Sequence, residues 1–387
     1  MSIRRSGDSA AATALPDAIA DHPLLRRAPP AFLPYIQLAR LDRPIGWWLL
    51  LLPCWESSAL ASASMREGPN VWHLALFFIG AVAMRGAGST YNDYVDREID
   101  AKVERTRLRP LASGRATPAA AVRFLVAQCL VGLAVLLSFN GLTITLGLIS
   151  PLIVLIYPFA KRFTSWPQAI LGLAFAYGAL LGWTACTGEL GAPALFLYAA
   201  AISWTIGFDT IYALQDMRDD AIVGVRSTAR LFGPRVQLAV GALYAASAAG
   251  AAFAVFLAGG GWLAYAGVAA YATHLAWQTA QTRQDVAPIT ALRLFRSNRD
   301  AGLLLFAGFF AALLFEFFLP IDAGVDLLFV ELPIGGAAER LIATADKEGP
   351  NIIAGQQHRG DSGDFHDDVE SVFRVLHFRH CLSPRQS

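Results

Sequence analysis

The segment "YNDYVDREIDAKVERTRLRPLASG", Tyr91–Gly114, directly follows an apolar stretch that begins at Val71. It places four acidic residues within eight positions at the point where that stretch ends: Asp93, Asp96, Glu98 and Asp100. A charge near hydrocarbon costs roughly 2.5–3.5 kcal/mol per residue. The segment therefore indicates either a solvated helix end or a site that binds a cation.

The rest of the chain has the composition of a membrane protein. Of its 387 residues, 55% are hydrophobic and only 16% are charged, and the mean hydropathy is +0.45. A soluble protein of this length would carry more charge and shorter apolar runs. The net charge of +1 gives no reason to expect a nucleic-acid partner.

Nine segments are candidate transmembrane helices, which need about 20 mostly apolar residues each. They are Ile45–Ala61, Val71–Tyr91, Ala119–Phe139, Leu142–Phe159, Gln168–Thr187, Pro193–Leu214, Val236–Leu257, Trp262–Ala280 and Ala301–Leu319. We therefore predict an all-α, multi-pass protein with nine transmembrane helices in a lipid bilayer.

The loop cations predict the orientation of these spans. The N-terminus and the loops after the second, fourth, sixth and eighth spans carry nearly all of them, whereas the other short loops carry only Arg66. The positive-inside rule then places the N-terminus and the charged loops in the cytoplasm. The C-terminus lies on the opposite side of the membrane.

Two acidic clusters follow even-numbered spans and so lie on the same predicted side. If the second helix continues past its span, Asn92, Asp96 and Asp100 share one face at spacings i, i+4 and i+8. The second cluster lies in "FDTIYALQDMRDDAIVGVRSTARLFG", Phe208–Gly233. On a continuous helix its members also form one stripe, at i, i+7 and i+11: Asp209, Asp216 and Asp220.

These oxygen donors, with no Cys or His beside them, suit a hard cation, most often Mg²⁺ when a phosphate completes the shell. The alternative is that both clusters are solvated helix ends paired with nearby arginines. Basic residues recur beside the acids. Lys161 and Arg162 lie in a predicted short cytoplasmic loop, and Arg40 and Arg43 precede the first span. Such groups bind phosphate or carboxylate, or act only as topological signals.

The motifs together resemble those of UbiA-type intramembrane prenyltransferases. "NDYVDREIDAKVERTRLRPLASG" resembles the family's N-D-x-x-D-x-x-x-D motif, with the R-T-x-x-R-P-L-x-S-G continuation of the 4-hydroxybenzoate polyprenyltransferase branch. "DTIYALQDMRDDAIVGVRSTARLFG" is similar to the second motif of that branch, and "LDRPIG" and "YPFAKRFTSWPQ" fit its flanking signatures. The resemblance runs in order from Arg40 to Leu319.

The resemblance implies nine helices around a central cavity that opens to the cytoplasmic side and sideways into lipid. It implies Mg²⁺ as cofactor, with polyprenyl diphosphate and 4-hydroxybenzoate as substrates. The implied catalytic residues are Asp96, Asp100, Asp209, Asp216 and Asp220. The implied metal ligands are Asn92, Asp96, Asp100, Asp216 and Asp220, with Asp93 as a further contributor. The implied substrate-binding residues are Asn92, Arg43, Lys161, Arg162 and Tyr157.

The implied reaction joins the prenyl group to the ring carbon ortho to the hydroxyl of 4-hydroxybenzoate, in ubiquinone biosynthesis. Mg²⁺ and the basic residues would neutralise the diphosphate as the allylic C–O bond ionises. An aromatic, water-poor pocket would hold the allyl cation. Asp216 or Asp209 would polarise the phenol.

Two other functions stay open. One is a sister prenyltransferase with another acceptor, such as a naphthoate, homogentisate or haem. The other is a cation transporter that uses the acidic rows as an ion path. A transporter would more often place its carboxylates in mid-span, on broken helices related by repeat symmetry. Here the acids lie at span ends and are accompanied by cations.

Three parts of the chain are predicted: a polar N-terminal segment, residues 1–39; the membrane domain, residues 40–319; and a poorly ordered tail, residues 320–387. The N-terminal segment lacks the apolar core of a signal peptide. Its acidic residues favour a bacterial inner membrane, with the mitochondrial inner membrane as the alternative.

Overall fold

The protein is built from helices. The computed structural model describes residues 22–103, 106–217 and 226–318, without the side chain of Lys161. Within these ranges there is no strand, as predicted. The described α-helices are α1 (Pro23–Arg27), α2 (Leu33–Leu38), α3 (Ile45–Met65), α4 (Val71–Asp100), α5 (Pro118–Leu136), α6 (Gly141–Phe163), α7 (Pro167–Phe175), α8 (Gly178–Thr187), α9 (Ala192–Ala213), α10 (Thr228–Phe232), α11 (Val236–Leu257), α12 (Trp262–Gln281), α13 (Pro288–Arg296) and α14 (Asn298–Phe318). The described 3₁₀ turns are Pro30–Phe32, Leu214–Asp216 and Gly233–Arg235.

Each of the nine predicted spans is helical in the described part of the chain, although the fifth is divided into α7 and α8. Among the described residues, seven helical spans are long and apolar enough to cross a membrane, judged by length and composition. The two predicted spans outside this group, Ile45–Ala61 and Trp262–Ala280, carry buried polar side chains such as Glu56 and Gln278. A multi-pass helical protein is confirmed, and the count of nine stays a prediction.

The long helices surround an interior. Neighbours pack in the order α5, α4, α3, α14, α12, α11, α9, α7 and α6, and α6 returns to α5. The largest core cluster lies among α3, α8, α9, α11, α12 and α14. Two glycines let α12 and α14 touch, since a Cβ on Gly267 would lie 2.6 Å from Gly308 Cα. Such close approach is how membrane helices gain contact in the absence of a hydrophobic drive.

The end of α6 differs from its predicted end at a functionally relevant place. Lys161 and Arg162 belong to the last turn of α6, not to a loop. Cations are favoured at a helix C-terminus, and membrane helices tolerate internal prolines such as Pro158. The predicted tail, residues 320–387, and most of the predicted N-terminal segment lie outside the described residues, so the domain boundaries stay predictions.

Candidate active site

The first acidic cluster lies on one face at the end of α4. The helix runs unbroken to Asp100, so Asn92, Asp96 and Asp100 share a face as predicted. Asp96 and Asp100 are buried, with 1% and 7% of their surface exposed, and Asn92 is half-buried. Buried carboxylates of this kind require cations close by.

Arg109, in the loop after α4, supplies part of that positive charge. Its Nη1 donates to Asp100 Oδ2 at 2.8 Å and to Asp93 Oδ1 at 3.2 Å. Asp93 Oδ1 also accepts a hydrogen bond from Arg40 Nη2 at 2.6 Å. Asp93, predicted as a further contributor to the metal site, is therefore enclosed by two guanidinium groups. Its role in this structure is to hold them.

Arg162 brings the end of α6 to the same cluster. Its Nη2 lies 3.6 Å from Asp96 Oδ1, and its guanidinium carbon lies 5.4 Å from the centroid of the Phe159 ring. The Arg162 side chain is 48% exposed, so it can turn towards an incoming anion. Lys161 lies in the same turn of α6, and its side chain is outside the described part of the structure.

Arg43 is held within its own segment. Its Nε and Nη2 donate to Asp42 Oδ1 and Oδ2 at 3.1 and 2.9 Å, and Asp42 is fully buried. This bidentate pair fixes the entrance to α3. The substrate-binding role of Arg43 stays a prediction.

The second acidic cluster begins on α9 but does not continue as the predicted α-helical stripe. α9 ends at Ala213, and the next turn, Leu214–Asp216, is 3₁₀. The tighter winding changes the direction of the side chains from residue 214 onwards, and the single face shared by Asp209, Asp216 and Asp220 stays a prediction. Asp209 and Asp216 are still close enough to interact electrostatically. Asp220 lies outside the described residues.

Gln168, at the start of α7, fixes the orientation of Asp209. Its buried side chain is hydrogen-bonded to Asp209, and its Oε1 accepts from the Thr228 backbone N at 3.1 Å. Thr228 Oγ1 in turn lies 2.6 Å from Thr210 Oγ1. These contacts join the end of α9 to the first residues of α7 and α10.

Tyr157 lies near both acidic clusters. This residue of α6 interacts electrostatically with Asp209 of the second cluster and with Asp96 of the first. The ends of α4 and α9 therefore face a common space, which we call the charged end of the interior. The predicted site residues on these two helices meet there.

The donor chemistry of the charged end fits Mg²⁺, because carboxylate and amide oxygens are its preferred protein ligands. Among the described residues, however, no three His, Cys, Asp or Glu side chains converge closely enough to hold a metal ion. Arg109 holds Asp100 in this structure. Of the predicted ligands, the described ones, Asn92, Asp96, Asp100 and Asp216, are thus brought near one space without being gathered around one point, and Asp220 lies outside the described residues.

Arg85 is a candidate that the sequence pattern did not single out. It lies on α4, where its Nη1 donates to Ser89 Oγ at 2.6 Å and its guanidinium stacks over the Phe175 ring. Its Nε is buried and has no hydrogen-bond partner among the described residues. Gly46 makes room for this group, since a Cβ there would overlap Arg85 Nε. The sequence signal for Arg85 is a cation inside a predicted span, which is itself a functional hint.

Positive charge accumulates where Arg85 meets the first turn of α3. Arg85 interacts electrostatically with Arg40 and Arg43. α3 has no side-chain N-cap, so the amide groups of its first turn add to the positive potential. Three guanidinium groups beside an uncapped helix N-terminus favour the binding of an anion.

An apolar chamber of about 480 Å³ adjoins this positive region. Its walls come from α3 to α8, and Arg85 and Tyr91 line it near the charged end of α4. Phe77 and Phe139 also line it and stack with ring centroids 4.8 Å apart. Because Phe77 lies early in α4 and Phe139 follows α5, this stack marks the end of the chamber farthest from the acids.

From the exposure of lining residues on α5 and α6 we infer that the chamber opens sideways between these helices. Leu133 of α5 and Leu148 and Leu155 of α6 line it, and their side chains are 39%, 57% and 48% exposed. Both helices are among the candidate spans. This opening would therefore face lipid.

Comparison with known proteins identifies the family. The model of the UbiA prenyltransferase family matches residues 50–299. The chain belongs to this family. It is 47% identical over 276 residues to a protein of Arabidopsis thaliana named "4-hydroxybenzoate polyprenyltransferase, mitochondrial", covering 71% of this chain and 67% of that protein. A Caenorhabditis elegans protein of the same name is 41% identical over 294 residues, covering 76% of this chain and 82% of its own.

Solved structures agree with membership of the UbiA family. The apo structure of a UbiA homolog from Aeropyrum pernix K1 has a TM-score of 0.58 and 26% identity, over 68% of this chain and 97% of that one. A UbiA homolog from Archaeoglobus fulgidus, solved with GPP and Mg²⁺, has a TM-score of 0.52 and 20% identity, over 72% of this chain and 99% of that one. The resemblance seen in the sequence is confirmed at the level of family and fold.

Proposed function

We propose that this UbiA-family chain transfers the polyprenyl group of a polyprenyl diphosphate to 4-hydroxybenzoate, at the ring carbon ortho to the hydroxyl, in ubiquinone biosynthesis. The observation that carries the proposal is the meeting of two acidic helix ends, with arginines between them, at one end of an apolar chamber. The names of curated relatives at 41–47% identity support the choice of acceptor.

Mg²⁺ would be held at the charged end by carboxylate and amide oxygens: Asn92, Asp96, Asp100, Asp216 and Asp220, with Asp209 beside them. When bound, it would neutralise charge on the diphosphate as the allylic C–O bond breaks. The protein's own cations would act on the same anion. Arg162 lies at Asp96 and is half exposed, and we propose Lys161 and Arg43 as further contacts.

The acceptor would lie between the two clusters. Tyr157 is near both and would line its pocket. Asp209, held by Gln168, is placed to polarise the phenol or to accept the proton that the ring loses. We assign the acceptor's carboxylate to Arg85, whose Nε is buried without a hydrogen-bond partner among the described residues.

The chamber would receive the first part of the isoprenoid. Its apolar walls exclude water, which limits capture of the allyl cation before the ring attacks. The opening between α5 and α6 would let the rest of a long tail stay in lipid, so the tail never has to cross water.

The opening between α5 and α6 predicts a dependence on chain length. Leu148→Trp is expected to raise the KM for a long-chain polyprenyl diphosphate about 5- to 20-fold, because the larger side chain crowds the passage. The KM for geranyl diphosphate should change less than about twofold, since a short tail fits inside the chamber. Steady-state kinetics in proteoliposomes with both donors measures the difference.

Leu152→Trp is the matched control for that experiment. Leu152 is on the same helix and similarly exposed, at 60%, but it does not line the chamber. Equal effects of the two substitutions on KM would contradict the proposal that the isoprenoid tail passes between α5 and α6. Equal effects of Leu148→Trp on the KM values of both donors would contradict it as well.

We infer an inner membrane as the location, bacterial in the first instance, with the charged end facing the cytoplasm. The mitochondrial inner membrane is the alternative, and the relatives named above carry "mitochondrial" in their names. Protease cleavage in the loop after α4 should require access to the cytoplasmic or matrix side. Cleavage from the opposite side would contradict this orientation.

The reaction itself is tested with membranes that carry the chain. Incubation with Mg²⁺, 4-hydroxybenzoate and a labelled polyprenyl diphosphate is expected to give a prenylated acid. The product should disappear with EDTA and return with excess Mg²⁺. Absence of product at every prenyl length in well-inserted protein would refute the proposal. Product from homogentisate or a naphthoate alone would assign a different acceptor.

A further inference from the structure

Arg109 holds a carboxylate that the proposed function needs for Mg²⁺. Its Nη1 lies 2.8 Å from Asp100 Oδ2, and the two side chains are only 17% and 10% exposed. A guanidinium so close offsets much of the carboxylate's charge and repels a second cation. Asp100 therefore binds a metal ion less well while Arg109 remains in place.

Arg109 has a second acceptor to which it can stay attached. The same Nη1 lies 3.2 Å from Asp93 Oδ1. Asp93 is fully buried and is also held by Arg40 at 2.6 Å. Because Asp93 is bound from two sides by protein cations, it is suited to anchor Arg109.

The loop that carries Arg109 is fixed on both sides of it. Thr106 Oγ1 donates to the Asp100 backbone O at 2.9 Å. On the other side, the Ala116 backbone N donates to Pro110 O at 2.9 Å. A change of partner by Arg109 would therefore need only a rotation of its side chain.

We propose that Arg109 is a placeholder cation. It occupies Asp100 while the metal is absent, leaves Asp100 when Mg²⁺ binds, and stays attached to Asp93 throughout. This rests on the proposed function, in which Asp100 is a metal ligand. The consequence is unusual for an arginine in such a motif: its removal should strengthen metal binding in the absence of substrate.

The test uses Mn²⁺ as a probe for the Mg²⁺ site, with the full chain in nanodiscs and no substrate. Electron paramagnetic resonance of free Mn²⁺ gives the dissociation constant. Arg109→Gln is expected to bind Mn²⁺ about 5- to 10-fold more tightly than the wild type, because a partly buried competing charge is removed. Arg109→Lys keeps the positive charge but lacks the planar guanidinium group. It should bind Mn²⁺ about 2- to 3-fold more tightly than the wild type.

Arg115→Gln is the matched control. Arg115 lies in the same loop, and its hydrogen bonds go to Ser113 Oγ and the Leu108 carbonyl, neither of them a carboxylate. Its Mn²⁺ affinity should stay within about twofold of the wild type, since it removes a loop charge without freeing a ligand.

The outcomes separate the placeholder role from the proposed function. Unchanged or weaker binding by Arg109→Gln overturns the placeholder role, as does an equal gain in Arg115→Gln. If Arg109→Gln does not fold, as judged by thermal unfolding, Arg109→Lys carries the test, and an unchanged affinity there overturns the proposal. A folded wild type that binds no Mn²⁺ overturns the metal site of the proposed function together with this inference.

Discussion

Replacement of Asp96 by Asn is expected to lower kcat/KM for prenyl transfer by about 10³-fold, with the protein still folded. Asp96 is the central member of the acidic face of α4, is almost fully buried, and is met by Arg162. An amide of the same shape keeps the packing but removes the charge that a cation needs. Asp216→Asn should have an effect of similar size, because it removes the same kind of ligand from the facing cluster. Turnover in membranes and thermal unfolding of the purified protein give the two readouts.

Glu98→Gln is the control for both variants. Glu98 is only two residues from Asp96, but its side chain is 81% exposed and paired with Arg97. Its neutralisation should leave turnover within about twofold of the wild type, since an exposed ion pair contributes little. Near-normal turnover in Asp96→Asn and Asp216→Asn would contradict the assignment of the two acidic clusters as the active site. This holds for any turnover measured with Glu98→Gln.

The helical fold could be predicted because apolar runs in this chain are bounded by polar residues. α11 has the predicted ends, Val236 and Leu257. α4 continues past its span to Asp100, which is the condition under which its acidic residues share one face. Both features depend on residues close together in the sequence, so the periodicity of apolar and polar residues is enough to indicate them.

Two interruptions of helices could not be predicted, because they depend on packing. The fifth span changes from α7 to α8 at Ala176 and Tyr177, within an apolar run that has no proline. The chain there lies against α3, where a Cβ on Gly178 would come within 3.1 Å of Cys54 N. The end of α9 at Ala213 likewise follows no turn residue. Tertiary contacts therefore override the local pattern at both places.

The residue types of the site could be predicted from the sequence, but the contacts between their side chains could not. The carboxylates stand out in the sequence, but the contact between Arg40 and Asp93 joins residues 53 positions apart. Gln168 is polar and otherwise unremarked in the sequence, and only its contact with Asp209 gives it a role. Arg85 lies within the predicted span Val71–Tyr91. A charged residue at membrane depth is itself a sequence signal for a functional site.

Arg85→Met is expected to raise the KM for 4-hydroxybenzoate about 100-fold, because the acceptor's carboxylate would lose a charge-assisted, bidentate partner in a site shielded from water. The KM for polyprenyl diphosphate should change less than about threefold, since its anion is assigned to other cations. Met fills a similar apolar volume against Phe175 and Gly46, which limits the effect on folding. Arg85→Lys should restore part of the affinity, because an ammonium supplies charge without the planar fork.

A neutral acceptor separates binding of the carboxylate from a purely structural role of Arg85. With 4-hydroxybenzamide, the wild type and Arg85→Met should have kcat/KM values within about threefold of each other, since there is no carboxylate to lose. Steady-state kinetics with both acceptors, alongside thermal unfolding, gives the comparison. If Arg85→Met impairs both acceptors equally, Arg85 serves the structure of the chamber wall and the carboxylate binds elsewhere. A selective loss with the acid locates the acceptor's carboxylate at Arg85, and therefore places its ring between the acidic clusters and the chamber.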